Sequence, residues 1–179
     1  LLLSVAKGGG AMIVRYDLGS RRSTPLTDAN SINVTPCFSP DGSKIVFNSD
    51  RDGPGDQQLF VMGADGSNVQ RISYGNGRYA EPDWSPTGDA IAYTRLGSGG
   101  FSIGVMKPDG SGERILSQGY LEEGATFCPN GRVIMFYRQT PLHVGNVSHL
   151  TTIGVDGFNE RITPTPTNAD DPSWGPLLS

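Results

Sequence analysis

One stretch limits the possible folds more than any other: Pro36 to Ser73, PCFSPDGSKIVFNSDRDGPGDQQLFVMGADGSNVQRIS. It holds four short apolar runs, each ended by a turn signal. CFS stops at Pro40-Asp41-Gly42, KIVFNS at the Gly/Pro/Asp-rich run 52–56, and QLFVM at Asp65-Gly66, with VQRIS closing the unit. Short runs of β-branched and aromatic residues between Pro, Gly and Asp clusters read as strands joined by hairpins. No run reaches the roughly 10 residues at a 3.6-residue period that an amphipathic helix needs. The unit therefore reads as a four-stranded antiparallel meander.

The unit then recurs. EPDWSPTGDAIAYTR, FSIGVM, KPDGSG and ERILS follow in order, and later EGATFCPNGRVIMFYR, HLTTIGV, DGFN and ERIT. The aromatic of the first run falls at Phe38, Trp84, Phe127 and Trp174, spaced 46, 43 and 47 apart. The second turn falls at Asp65-Gly66, Asp109-Gly110 and Asp156-Gly157, spaced 44 and 47 apart. Four strands per unit and a period in the forties are the signature of a β-propeller blade. A lone sheet with two apolar faces cannot bury both, whereas blades stacked around an axis can. The fold class is all-β, a propeller of four-stranded antiparallel blades.

In chain order, residues 1–32 form a partial blade that lacks its first run. Full blades span 33–73, 74–117 and 118–163, and 164–179 supplies one closing inner strand. The strands number three, three times four, and one, which makes sixteen. Two architectures accommodate them. The last strand completes the first unit in a four-bladed ring, or the chain is an arc of a larger ring. Links from run four to the next run one, and from run two to run three, share one rim. They are Asp28–Thr35, Tyr74–Glu81, Gln118–Gly124 and Thr163–Asp171, with the longer loop Arg138–Ser148. They vary in sequence, while the hairpins of the opposite rim are stereotyped, and varied loops on a rigid scaffold are where recognition lives.

Composition and motifs exclude several classes. Net charge is −4 with scattered Lys and Arg, so no basic stripe suits nucleic acid. No apolar run approaches the roughly 18 residues of a membrane helix. Cys37 and Cys128 lie two blades apart and are expected to be free thiols. Asp41, Asp65, Asp109 and Asp156 belong to hairpins, where Asp side chains fold onto local N–H groups. His143 and His149 have no partner at metal-ligand spacing and read as a surface pair. There is no G-x-S-x-G elbow for a nucleophilic serine, and Gly8-Gly9-Gly10 lacks the Lys-Ser/Thr of a phosphate loop. Tyr16, Phe60, Phe101 and Phe136 read as core between blades, and Arg71, Arg114 and Arg161 as charge that blunts the outer edges.

The recurrent motif resembles the propeller of the TolB family, periplasmic components of the Tol–Pal system. It stands here as TPCFSPDGSKIVF, EPDWSPTGDAIAY and GATFCPNGRVIMF, each followed by D-G and R-I, with DPSWGPLL at the end. The match in order and spacing runs through essentially the whole chain. The resemblance implies a six-bladed propeller preceded by a smaller α/β domain, of which this chain holds the last two thirds of the propeller. It implies action without catalysis or cofactor. The implied partner is the peptidoglycan-associated lipoprotein Pal, docked across the loop rim to maintain the outer membrane during division. TolA is reached through an N-terminal segment that this chain lacks. The alternative is a substrate-gating propeller from a prolyl-oligopeptidase-like serine peptidase. A lyase-type propeller would need His ligands on inner strands.

The family's Pal-facing positions precede the repeat proline and map here to Asn33, Val34, Thr35, Arg78, Tyr79, Ala80, Glu81, Glu122, Glu123, Asp170 and Asp171. As residues, they are polar groups at a channel mouth, on strand starts stiffened by Pro36, Pro82 and Pro172. A ring of carboxylates there suits a protruding polar or basic segment. Thr35 and Gly124 stand where Glu81 and Asp171 carry acids, so the ring is uneven. The same acids offer oxygen ligands to a hard cation, but without the spacing of a dedicated loop, and no metal is assigned. Glu81→Lys is expected to spare folding and weaken binding.

Overall fold

The computed structural model describes residues 1–142 and 145–175. Fifteen strands form four antiparallel meanders. The first sheet has three strands, β1 (Leu2–Lys7), β2 (Gly10–Tyr16) and β3 (Ser23–Pro25). The second contains β4 (Asn33–Phe38), β5 (Lys44–Ser49), β6 (Gln58–Gly63) and β7 (Gln70–Arg71). β8 (Arg78–Trp84), β9 (Ile91–Gly97), β10 (Gly100–Met106) and β11 (Arg114–Gly119) make the third. The fourth comprises β12 (Leu121–Phe127), β13 (Val133–Leu142), β14 (Gly145–Gly154) and β15 (Arg161–Thr163). Strand order within each sheet equals chain order, as a blade requires.

The cores lie between sheets, because alternate residues of a strand point to opposite faces. Ile45 and Phe47 of β5 pack with Ile13 and Leu26 of the first sheet, while Val46 between them faces Trp84, Ile91 and Tyr93 of the third. Ala92 of β9, flanked by Ile91 and Tyr93, joins Phe127, Ile134 and Phe136 of the fourth sheet. Each inner sheet is thus apolar on both faces, and each face is closed by a neighbour.

Packing runs from first to second to third to fourth sheet, and no comparable packing joins fourth to first among the described residues. Leu3 and Val5 of β1 are exposed accordingly. The described chain is an arc and not a closed four-bladed ring. Residues 171–175, expected as the sixteenth strand, belong to no ladder. They run beside β12, where the Trp174 indole N–H donates to the Thr126 carbonyl at 3.2 Å.

One expectation about the rim changes. Arg138–Ser148, expected as a loop, is largely a β-ribbon, with β13 and β14 paired from Val133↔Gly154 out to Leu142↔Gly145. His149 sits in that ladder opposite Arg138, and His143 lies outside the described residues. On the other rim the hairpin aspartates behave as expected. Asp41, Asp65, Asp109 and Asp156 each accept the N–H two residues on, at 2.9–3.0 Å.

Candidate functional site at the channel mouth

The inner strand of each full blade is broken by the same device. The ladder slips between Val34 and Cys37, between Ala80 and Asp83, and between Glu123 and Thr126. At each slip one residue sits in the left-handed region: Thr35 (φ 48°), Glu81 (φ 51°) and Gly124 (φ 68°), with Asp171 (φ 44°) at the same repeat position in the final segment. A bulge inserts one unpaired residue and bends the strand. Proline follows three of the four, and since proline has no N–H the ladder forfeits no donor there.

These four residues and their neighbours surround one depression of about 450 Å3, with Pro36, Cys37, Pro82, Asp83, Thr126 and Pro172 in its wall. Two carboxylates tie its sides together. Glu81 Oε2 accepts the Thr94 hydroxyl within its own sheet and the Gly124 N–H of the next, both at 3.0 Å. Asp83 Oδ2 accepts the Phe127 N–H at 2.8 Å, and its Oδ1 receives the Cys37 thiol at 3.7 Å. Asp83 therefore touches three consecutive sheets. Burial pushes its carboxyl above the usual range, against the Phe127 N–H. Burial also pushes the Cys37 thiol up to about 11, so it is an unreactive group. Both cysteines are free.

The eleven sequence-predicted residues divide by face. Asn33, Tyr79 and Glu122 are fully buried. Asn33 Nδ2 donates to the carbonyls of Ala11, Asp28 and Ser31 at 2.8–3.2 Å, and its Oδ1 accepts from Ser49 and Arg51 at 2.8 Å. The Tyr79 hydroxyl donates to Glu113 Oε1 at 2.7 Å. Glu122 Oε1 accepts Arg138 Nε at 2.7 Å and the Ser117 hydroxyl at 3.0 Å. These side chains are turned inside the sheets, out of reach of a docking partner. The bulge explains it: counting alternate residues back from buried Trp84 and Pro82 would bury Ala80, but the slip reverses parity and buries Tyr79.

The rest face the mouth or its margin. Val34, Ala80, Glu81 and Glu123 are half-buried, while Thr35, Arg78, Asp170 and Asp171 are exposed. Thr35 Oγ1 hydrogen-bonds Asn48 Oδ1. The Tyr137 hydroxyl donates to Glu123 Oε2 at 2.6 Å. Its phenol is pushed up by burial first, and then by Glu123, Glu81 and Asp171, which places these acids in one shared field. Asp83 and Tyr137 were not singled out from sequence. The visible signal was an acid one residue past the repeat proline, where Cys37 and Thr126 stand in the other units. No group of three or more His, Cys, Asp or Glu side chains with metal-binding geometry occurs among the described residues. Nor does any helix long and apolar enough to cross a membrane.

Comparison with known proteins agrees with the fold. The family model of the TolB beta propeller domain matches residues 1–178. The Tol-Pal system protein TolB of Gluconobacter oxydans is 54% identical over 90% of the chain, which spans 46% of that protein. The TolB of a Drosophila simulans Wolbachia is 44% identical over 66% of the chain, 28% of its own length. The chain thus covers at most about half the length of these relatives. Among solved structures, TolB from Acinetobacter baumannii superposes with a TM-score of 0.79 at 24% identity, over 95% of this chain and 42% of that one.

Proposed function

The chain belongs to the TolB β-propeller family, and from that premise we propose that it is a non-enzymatic, periplasmic docking module of a Tol–Pal system. Its partner on this reading is the lipoprotein Pal, seated on the channel mouth, and the role is outer-membrane integrity and division. The observation that carries the proposal is the repeated left-handed residue. Four repeats present Thr35, Glu81, Gly124 and Asp171 around one depression. A bulge fixes the backbone at the first three, so little order must be gained there on binding. Glu81, Glu123, Asp170 and Asp171 make that mouth anionic, which suits a protruding segment bearing donors or a basic side chain. Asn33, Tyr79 and Glu122 drop out of the docking surface, and TolA contacts are not assigned to these residues.

The cross-sheet hydrogen bond of Glu81 revises the choice of test variant. Glu81→Lys would break the link to Gly124 and disturb the fold, so it does not separate binding from stability. Glu81→Gln keeps an oxygen acceptor for Thr94 and Gly124 while removing the charge. Calorimetric titration with a soluble Pal domain should give saturable binding, weakened about fivefold in Glu81→Gln, as suits about 1 kcal/mol at a rim charge. Equal affinity for both forms would remove Glu81 from the interface. A folded chain that does not bind Pal would refute the docking assignment.

A further inference from the structure

The second, third and fourth sheets each hold an arginine shortly after the aromatic of their second strand, and they differ in how its charge is met. In the fourth, the Arg138 guanidinium binds Glu122 Oε1 through Nε and takes both oxygens of Glu160 at 2.7 and 3.0 Å. In the third, Arg95 lies 3.5 Å from Glu113. In the second, Ser49 stands at the Arg95/Arg138 position, as the register shows: Asn33↔Ser49, Tyr79↔Arg95, Glu122↔Arg138. The guanidinium comes instead from Arg51, two residues on. It stacks over Phe47 and Phe60 at 5.1 and 5.0 Å, with Nε on the Ser49 hydroxyl and Nη2 on Asn33 Oδ1.

The carboxylate that should meet it is missing. Phe47, Tyr93 and Phe136 lie across their sheets from Arg71, Ile115 and Ile162. Two residues earlier in the chain, just before those outer strands begin, come Val69, Glu113 and Glu160. Where the other sheets carry Glu, the second carries a partly exposed valine. Beside it a cleft of about 400 Å3 opens between the first and second sheets, lined by Leu26, Thr27, Asn30, Ser31, Arg51 and Val69, with Asp28 completing the wall. Arg51 Nη1 has no acceptor and no carboxylate within ion-pair distance among the described residues. Asp50 spends its oxygens on the N–H groups of Ile32 and Gly55, and Asp52 pairs with Arg71. Asp28 accepts the Asn30 N–H at 3.0 Å and acts on Arg51 only at longer range. The Ser31 hydroxyl and the Asn30 amide group make no side-chain hydrogen bond among the described residues, so two further donors line the cleft.

We propose that this cleft is a carboxylate-binding site, taking an Asp or Glu side chain of a partner polypeptide onto Arg51, in the place that Glu113 and Glu160 fill from within the chain. A guanidinium laid over two rings and held by two internal acceptors is pre-organised for a planar carboxylate. The site is separate from the channel mouth, and its test does not depend on Pal.

The test is nuclear magnetic resonance of the arginine Nε–Hε signals of this chain, titrated with N-acetyl-glutamate amide in a short capped peptide, its glutamine counterpart, and acetate. The glutamate peptide should move the Arg51 signal saturably, with a dissociation constant on the order of millimolar for one charge-assisted contact. The glutamine peptide should not. Val69→Glu supplies the carboxylate internally and leaves Arg51 and its stacking intact. It should shift the Arg51 signal without ligand and weaken the peptide response at least about fivefold, while Asp28→Asn should tighten it. A response in Val69→Glu equal to that of the parent chain overturns the proposal, as does a drift shared by all arginines. Acetate binding as tightly as the peptide overturns the assignment to a partner polypeptide.

Discussion

Trp84 gives the sharpest test of the stacked-sheet account. Its ring is 7% exposed and lies in the cluster between second and third sheets, with Val46, Leu59, Tyr79 and Met106. Burying roughly 200 Å2 of ring at about 25 cal/mol per Å2 contributes about 5 kcal/mol, of which alanine retains a minor part. The loss to Ala, with its cavity, is then about 3–5 kcal/mol. The indole N–H bond to the Gly88 carbonyl, at 3.3 Å, adds little. For a chain of this length, about 2–4 °C of melting temperature accompanies each kcal/mol, so Trp84→Ala should melt roughly 6–20 °C lower in calorimetry. Phe38→Ala, at the same repeat position but half-buried against the first sheet's cluster, should cost distinctly less. Among the described residues the sheets pack chiefly on their neighbours, so loosening one junction should also part the two sides. In Trp84→Ala the sole remaining tryptophan is Trp174, beside the fourth sheet. Its fluorescence transition should no longer coincide with that of circular dichroism. A loss below about 1 kcal/mol, or Phe38→Ala costing as much, would refute the burial argument.

Two further outcomes follow from the carboxylates. Asp83→Ala strands the Phe127 N–H and should lower stability by about 1–3 kcal/mol in urea titration, whereas Asp83→Asn keeps an acceptor and should stay near the parent value; equal losses would remove the three-sheet role of Asp83. Serine hydroxyls hold Asp41, Asp65 and Asp109 below the usual carboxylate range, Asp41 at about 2. Their contribution is present above about pH 4, the unfolded value, and is lost as pH falls toward 2. Burial raises Asp83 and Glu122, so acid favours their folded forms and works in the opposite direction. The variant Asp41→Asn/Asp65→Asn/Asp109→Asn should therefore show a shallower fall in melting temperature between about pH 4 and 2.

The blades were legible because period-two apolar runs and Asp-Gly turns are local signals that recur. Ile45-Val46-Phe47 needs no tertiary knowledge to read as a strand buried on both faces, and its side chains do divide between two neighbours. The residues around the channel mouth were only partly legible. Asn33, Tyr79 and Glu122 are polar and lie three residues before the repeat-proline position (Ala125 in the fourth sheet), which suggests a surface, but the bulge turns each inward. Pro36 and Pro82 inside strand patterns were the available warning, since proline in an inner strand marks a bulge. The ribbon at β13–β14 hid for another reason. Pro141, Gly145 and Asn146 have poor strand character, and their pairing extends the register of the preceding hairpin.

Repetition and departure from it do different work here. The repeated residues, Phe38, Trp84 and Phe127 with the Asp-Gly turns, hold sheets together and could be exchanged among units with little effect on chemistry. The bulge is repeated too, yet it sets a left-handed conformation that costs an ordinary residue about 1–2 kcal/mol. Gly124 avoids that cost, and Glu81 offsets it with a bond to Gly124's own N–H, so two neighbouring units stabilise one strained geometry jointly. Thr35 and Asp171 bear the cost with no such bond across to the next sheet among the described residues. On the docking reading proposed above, side chains kept under strain at a mouth that could have carried glycine at all four sites serve contacts with the partner. The same logic applies at Arg51. The third and fourth sheets neutralise their arginines internally, and the second, with Val69 in place of glutamate, leaves that charge for another chain to meet.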